Sequence, residues 1–171
     1  VDEAIAQGFD LVISHHPYLL RGVNSVAEDT GKGSVLAAAI RANLSIFAAH
    51  TNADITDTGV SATLANALGL QGMTPLVPKD ATVGHGRIGR LASPLSLVDF
   101  ARLIAKALPA TAGGVRVAGA ADLKVQTVAL CGGAGDSFLN AALDSDANVF
   151  VTSDLRHHPT QDAMESARAA G

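Results

Sequence analysis

Two kinds of segment alternate along this chain, and the alternation limits its possible folds more than any other feature. Short apolar runs rich in β-forming residues are separated by Ala- and Leu-rich segments whose apolar positions recur at helical spacing. Strands that are apolar on both faces need helices on both sides, so the pattern predicts an α/β fold with mixed or mostly parallel sheets and helices packed on them. The predicted strands are 11–14, 44–49, 125–131 and 147–152, and the predicted helices are about 34–43, 58–69, 137–144 and 159–170.

The segment SPLSLVDFARLIAKAL, residues 93–108, predicts one further helix. Ser93 suits the cap position and Pro94 the first helical position. Apolar residues then recur on one face, which is typical of a helix packed against a sheet. The sequence therefore predicts a structural helix here.

The stretch 71–89 marks a predicted boundary, because it contains two prolines and four glycines with little periodicity. The motifs GFDLVISHHP and DANVFVTSDLRHHP each join a strand to His-His-Pro, which is compatible with two related lobes. We predict an N-terminal lobe over 1–75, a connector over 76–90 and a second lobe over 91–171 that reads as cut short at its C-terminus.

Composition excludes several classes of protein. A formal net charge of −4 with only 12 Lys and Arg provides no basic patch, and aromatic residues are 4% with no Trp, so we expect no nucleic-acid partner. No apolar run approaches the roughly 20 residues that span a bilayer, and the start does not resemble a secretion signal, so we expect no membrane association. Cys131 is the only cysteine and is predicted to be a small buried residue. We predict a cytoplasmic protein.

The strand LVIS runs directly into His15, His16 and Pro17. Neighbouring side chains of a strand point to opposite faces, so both imidazoles reach one site only where the chain leaves the sheet. Pro17 favours such an exit because it cannot continue a ladder. The carboxyl ends of strands are also where open α/β sheets bind ligands.

A second strand, 44–49, ends in His50, and Asp54 follows in a segment rich in loop formers. Three imidazoles and a carboxylate would suit zinc, iron, manganese or cobalt and would disfavour calcium. They would complete one structural zinc site or leave open positions in a catalytic or two-metal site. The alternative is that each histidine is an ordinary hydrogen-bonded or surface residue.

Other polar groups also lie at predicted strand ends. The segment CGGAGDS, 131–137, which includes Gly133 and Gly135, could hold an anion or form a tight strand-to-helix turn, and the turn is the preferred interpretation. Asp154 and His158 follow the last strand, where Asp154 could instead cap a helix. A serine hydrolase is poorly supported because no G-x-S-x-G elbow is present.

Four blocks of sequence together resemble the NIF-three-like dinuclear metal-centre family, often labelled GTP cyclohydrolase 1 type 2. They are DLVISHHPYLLRG, IFAAHTNAD with GVSATLANALGL, GRIGRL, and a closing block from VQTVALCGGAGDSFLNAA to DANVFVTSDLRHHPTQDAMESARAAG. The resemblance covers nearly all of the chain. Ser61 and Ser153 stand where the family usually has Asn and Gly.

The resemblance implies a three-layer α/β protein of two related lobes that assembles into a toroidal homohexamer. It also implies two divalent transition-metal ions, such as zinc, iron or manganese, between the lobes. Carried over by position, the implied metal ligands are His15, His16, His50 and Asp54. The resemblance also implies a further His and Glu ligand from a segment beyond Gly171, and both ends of the chain read as falling within structure.

The function implied by the resemblance is a metal-dependent hydrolase that uses a metal-bridging hydroxide on a small-molecule substrate, with GTP or another nucleotide as one candidate. Asp154, His158, Gly133 and Gly135 are then expected near the substrate or the ligands, and no separate catalytic residue is assigned. The alternative is a non-catalytic metal-binding protein with a regulatory, storage or chaperone role.

Overall fold

The computed structural model describes residues 1–170. The chain divides into two compact units, Val1–Ala53 and the part from Asp54 onward. Helices and strands are mixed in the chain, so the predicted α/β fold class is confirmed. The lobes predicted over 1–75 and 91–171 stay a prediction.

The first unit is built on two parallel strands. Its elements are α1 (Asp2–Ala6), β1 (Leu11–Ser14), α2 (Gly31–Arg41) and β2 (Ser45–Ala48). The Thr30 hydroxyl caps α2 by accepting a hydrogen bond from the Gly33 amide at 3.0 Å. Strands β1 and β2 pair in parallel, with Ser14 opposite Ala48. Their carboxyl ends therefore lie at the same edge of the ladder.

The second unit contains a mixed four-stranded sheet and a small hairpin. The one-turn helix α3 (Thr51–Asp54) leads into it. Its elements are α4 (Val60–Ala67), β3 (Gln71–Thr74), β4 (Val77–Pro78), β5 (Gly84–His85), β6 (Arg87–Ser96), α5 (Leu97–Ala107), β7 (Lys124–Ala134), a 3-10 turn (Asp136–Phe138), α6 (Leu139–Leu143), β8 (Val149–Asp154) and α7 (His157–Ala170). The sheet order is β3-β6-β7-β8, where only β7 and β8 are parallel. Strands β4 and β5 pair separately.

The core of the second unit lies between β7 and α5. Val125, Val128 and Leu130 of β7 are fully buried, as expected for a central strand covered on its faces. Leu97, Phe100 and Ile104 recur at helical spacing along α5 and pack into the same cluster. This core fixes β6 and β7, which carry the glycine-rich turns discussed below.

The helix predicted to begin at Pro94 begins later. Strand β6 continues through Pro94 to Ser96, and the Ser96 hydroxyl caps α5 by accepting from the Asp99 amide at 3.1 Å. Ser93 is therefore not the cap, which makes that prediction wrong. The reason is a second capping sequence, Ser-x-x-Asp, three residues further on. Pro94 fits in the strand because it lies where the β6–β7 register shifts and no ladder amide is required.

The proline- and glycine-rich stretch 71–89 contains the short strands β3, β4 and β5 and the start of β6. A Cβ at Gly84 would lie 2.4 Å from the Val77 carbonyl oxygen. Gly86 has φ +62°, and a Cβ there would lie 2.7 Å from the Leu130 carbonyl oxygen. These two glycines are therefore required by close backbone packing.

Among the described residues, no helix has the length and apolar character needed to cross a bilayer.

Candidate metal centre

Three imidazoles converge at the carboxyl edge of the β1–β2 ladder. His15 and His16 follow β1, and His50 follows β2. Their ring centroids are 5.0, 5.0 and 5.2 Å apart. One ligand nitrogen from each ring lies within 4.8 Å of the other two. The parallel pairing of two short strands thus brings His50 to His15 and His16, which precede it by 35 and 34 residues in the sequence.

The chain turns out of the ladder at the end of β1, and this lets neighbouring histidines share one site. Strand β1 ends at Ser14, whose hydroxyl donates a hydrogen bond to the His16 carbonyl at 2.9 Å. Pro17 follows and has no amide hydrogen to continue the ladder. The strict alternation of a strand therefore no longer applies at His15 and His16.

The ring of His15 is oriented by the backbone of the neighbouring strand. Its Nδ1 lies 3.0 Å from the Ala49 carbonyl oxygen. A carbonyl only accepts, so Nδ1 carries the hydrogen and Nε2 is the acceptor nitrogen of the neutral ring. Histidine ligands of metals are commonly oriented by such a bond from the other ring nitrogen. The arrangement fits a His15 that presents Nε2 to a cation.

The donor set fits a divalent transition metal. Neutral imidazole nitrogens suit zinc, iron, nickel or copper rather than calcium or magnesium. Nitrogens bound at about 2.0–2.1 Å in a tetrahedral site lie about 3.3 Å from one another. The three rings, with nitrogens within 4.8 Å of each other, need only small side-chain adjustments to meet that spacing. Three protein ligands also leave coordination positions for water or substrate.

Asp54 is the last residue of α3 and the first residue of the second unit. Helix α3 starts directly after His50, and the Ala53 amide donates to the His50 carbonyl at 2.9 Å. The group of possible ligands found among residues 1–170 consists of the three histidines of the first unit. The role of Asp54 as a ligand therefore stays a prediction from the sequence.

Comparison with known proteins identifies the family. The family model described as Duf34/NIF3 (NGG1p interacting factor 3) matches residues 1–170. The chain belongs to the Duf34/NIF3 family.

Individual relatives agree with this assignment. A GTP cyclohydrolase 1 type 2 homolog of Streptomyces coelicolor is 45% identical over 167 residues, which cover 95% of this chain and 59% of the relative. The chain thus spans about three fifths of that relative. A Staphylococcus aureus hypothetical protein is 26% identical with a TM-score of 0.76, covering 98% of this chain and 66% of its own.

A Bacillus cereus protein related to NIF3 has the same fold. Its TM-score is 0.82 at 24% identity, and the match covers 97% of this chain and 72% of the Bacillus chain. At this identity the likeness concerns the fold alone. The fold and family of the chain are therefore shown, whereas the prediction of a metal site rests on the chain's own residues.

The glycine-rich segment of this Duf34/NIF3 chain forms a tight turn, the preferred interpretation of CGGAGDS. Strand β7 continues to Ala134, and the Gly135 amide then donates to the Asp154 carbonyl at 3.0 Å. A Cβ at Gly135 would lie 2.4 Å from the Thr152 hydroxyl, so packing requires glycine there. The Asp136 carboxylate accepts from the backbone and the guanidinium of Arg156, which lowers the pKa of Asp136. A carboxylate at the start of the turn disfavours an anion site.

The remaining predicted residues lie in the second unit of the Duf34/NIF3 chain. Asp154 ends β8, and its side chain is exposed. His158 lies in the first turn of α7, where its ring contacts that of His157 at a centroid distance of 5.3 Å. Gly133 lies in β7 with φ +71°. A role for these residues near substrate stays a prediction.

Cys131 is buried, as predicted, and is 6% exposed. Burial raises the pKa of its thiol, a hydrogen bond from Ser61 lowers the pKa in part, and the charge of Asp54 raises it further. The thiol therefore stays protonated in the folded chain at a pH where an exposed cysteine, with a pKa of about 8.5, has begun to ionise.

We expect Cys131 to react slowly with an aromatic disulfide reagent in the native protein and rapidly in denaturant. Both burial and the raised pKa reduce the exposed thiolate. The measurement is the rate of thiol release at pH 8 with and without urea. Native and unfolded rates that agree within a factor of two would contradict a buried thiol.

Arg87, in the GHGRIG segment, is not among the site residues predicted from the sequence. Arg87 is only 3% exposed, although arginine is seldom buried. The glycines on either side of Arg87 were the one sequence signal of close packing there. Two of its hydrogen-bond acceptors, the carbonyls of Ile55 and Thr56, are distant in sequence and could not be predicted. His85 of the same segment, which had no predicted partner, stacks on Phe138 at 5.3 Å.

Proposed function

We propose that this chain carries part of the metal centre of a hydrolase of the kind that its relatives' name, GTP cyclohydrolase 1 type 2 homolog, describes. The observation that supports this most directly is the convergence of ligand nitrogens from His15, His16 and His50 within 4.8 Å. Two of these rings are exposed and the third is half-buried, so water and substrate have access to them.

The three histidines would hold and orient the metal. His15 is oriented by the Ala49 carbonyl and would present Nε2 to a cation, and His16 and His50 would supply the other nitrogens. A bound divalent metal lowers the pKa of a coordinated water to about 7 and polarises the bond to be hydrolysed. Neutral imidazoles leave the full positive charge of the metal available for this purpose.

The finer features belong to the same proposal. Asp54 is the proposed fourth ligand, and a second metal ion requires ligands beyond those four. A hydroxide between two ions, a nucleotide substrate and a homohexameric assembly are proposed from the resemblance to the family. A cytoplasmic location is proposed from the composition. The chain spans 59% of its Streptomyces relative, so the activity of a whole protein is part of the proposal.

The proposal is tested by metal analysis followed by an activity assay. Protein purified without a tag should contain at least one equivalent of zinc, iron or manganese, measured by elemental analysis. The metal-loaded protein should then convert GTP or another nucleotide in a product assay, and the His16→Ala variant should not. Full metal content without turnover across a nucleotide panel would instead indicate a non-catalytic binder with a regulatory, storage or chaperone role. Absence of tight metal would contradict both.

A further inference from the structure

Arg87 binds four backbone carbonyl groups from two separate parts of the second unit. Its Nη1 donates to the carbonyls of Gly84 at 2.8 Å and Gly86 at 2.7 Å. Its Nη2 donates to the carbonyl of Ile55 at 3.4 Å and to that of Thr56 at a shorter distance. The guanidinium therefore joins the β5–β6 turn to the residues that directly follow Asp54.

We name residues 54–57, Asp-Ile-Thr-Asp, the ligand segment, because Asp54 is the proposed fourth ligand. The Ile55 carbonyl accepts a second hydrogen bond from the Gly84 amide at 3.0 Å. Both peptide carbonyls after Asp54 are thus held by buried groups of β5 and β6. The backbone that directly follows Asp54 therefore cannot shift without breaking these bonds.

The geometry requires arginine rather than another cation. A guanidinium presents five donors in a planar fork, and two of its nitrogens here serve two carbonyls each. A lysine ammonium has three donors around one atom and cannot reach both pairs with this geometry. Burial lowers the pKa of Arg87 and nearby Asp57 raises it, but a guanidinium stays charged in proteins.

We propose that Arg87 is a positioning residue for Asp54: its buried guanidinium fixes the backbone of the ligand segment and thereby the place of the Asp54 carboxylate. This inference rests on the proposed function, since Asp54 acts as a ligand only in a metal centre. Removal of Arg87 should therefore weaken metal binding through Asp54 and not independently of it.

A double-mutant cycle on the purified protein tests the coupling, with Co²⁺ as the probe and its absorption spectrum as the signal. Arg87→Lys should raise the Co²⁺ dissociation constant about 10-fold, which is the size of effect expected when a group that orients a metal ligand is lost. It should also shift the Co²⁺ absorption spectrum toward that of Asp54→Asn. In the Asp54→Asn background, Arg87→Lys should raise the Co²⁺ dissociation constant by less than about 2-fold. Arg90→Lys is the matched control, because Arg90 lies in the same strand but is exposed.

If Arg87→Lys weakened Co²⁺ binding equally in the wild-type and Asp54→Asn backgrounds, or in neither of them, the proposal would be overturned. Amide hydrogen exchange without metal provides a second readout. Arg87→Lys should speed exchange in a peptide covering 51–60 and leave the β7 peptide 124–131 unchanged. Unchanged exchange in 51–60, or faster exchange in both peptides, would also overturn it. If the wild type binds no Co²⁺ but the local exchange result holds, the proposed function fails, while the fixing of the backbone of residues 54–57 by Arg87 stands.

Discussion

Replacing His50 with alanine is expected to weaken the binding of Zn²⁺ or Co²⁺ by at least about 100-fold, since loss of a group that merely orients a ligand already costs about 10–100-fold. His50 supplies the only imidazole of the cluster that comes from β2, and its ring lies 5.0 and 5.2 Å from those of His15 and His16. Its removal leaves only two imidazoles in the cluster, both at the end of β1. Competition titration with a chromophoric chelator measures the effect.

The matched control is His157→Ala. His157 is also exposed, begins α7 and contacts the ring of His158. Its substitution therefore removes an exposed imidazole without changing the three-histidine cluster. Metal affinity should stay within about 2-fold of the wild type. If both variants bind metal as the wild type does, the cluster is not the binding site. If His50→Ala and His157→Ala lose metal affinity equally, the metal is bound by exposed histidines in general and not by the cluster.

The second large effect is expected on stability. Phe100→Ala should lower the free energy of unfolding by about 3–5 kcal/mol, because it removes a large side chain from a packed core and leaves a cavity. Phe100 is 1% exposed and lies in the cluster that includes Val125, Val128 and Leu130. Urea denaturation followed by circular dichroism measures the change.

Val98→Ala serves as the control on the same helix. Val98 is 40% exposed, so its truncation should change the free energy of unfolding by less than about 0.5 kcal/mol. A Phe100→Ala effect as small as that of Val98→Ala would show that α5 does not pack on β7 as described. Metal affinity of folded Phe100→Ala should remain unchanged, because Phe100 lies outside the cluster of three histidines.

Much of the secondary structure was predictable because local pattern and tertiary environment agree. Strand β1 occupies the predicted residues 11–14, and the final helix begins two residues before its predicted start. The start of α5 was not predictable from its first cap signal, since Ser93 and Ser96 both suit a helix N-terminus. The choice between them depends on the pairing of β6 with β7, which is a long-range contact.

The proposed site was also predictable only in part. The approach of His15, His16 and His50 was predictable, because parallel neighbouring strands bring their carboxyl ends to one edge. The burial of Arg87 was not, because two of its acceptors lie 31 and 32 residues away and are backbone atoms, which leave no mark in the sequence. The glycines around it, which contributed to the prediction of a connector, are required by close packing.

If the three histidines bind a metal as proposed, the pairing of Ser14 with Ala48 makes strand length itself a determinant of metal affinity. Inserting one residue into β2 would turn the His50 ring to the opposite face of the ladder. Inserting two would restore the face but move the ring by about 6.6 Å along the edge, more than the 5.0 Å that now separates the ring centres of His15 and His50. Insertions and deletions in these two strands should therefore be tolerated far less than substitutions on their exposed faces.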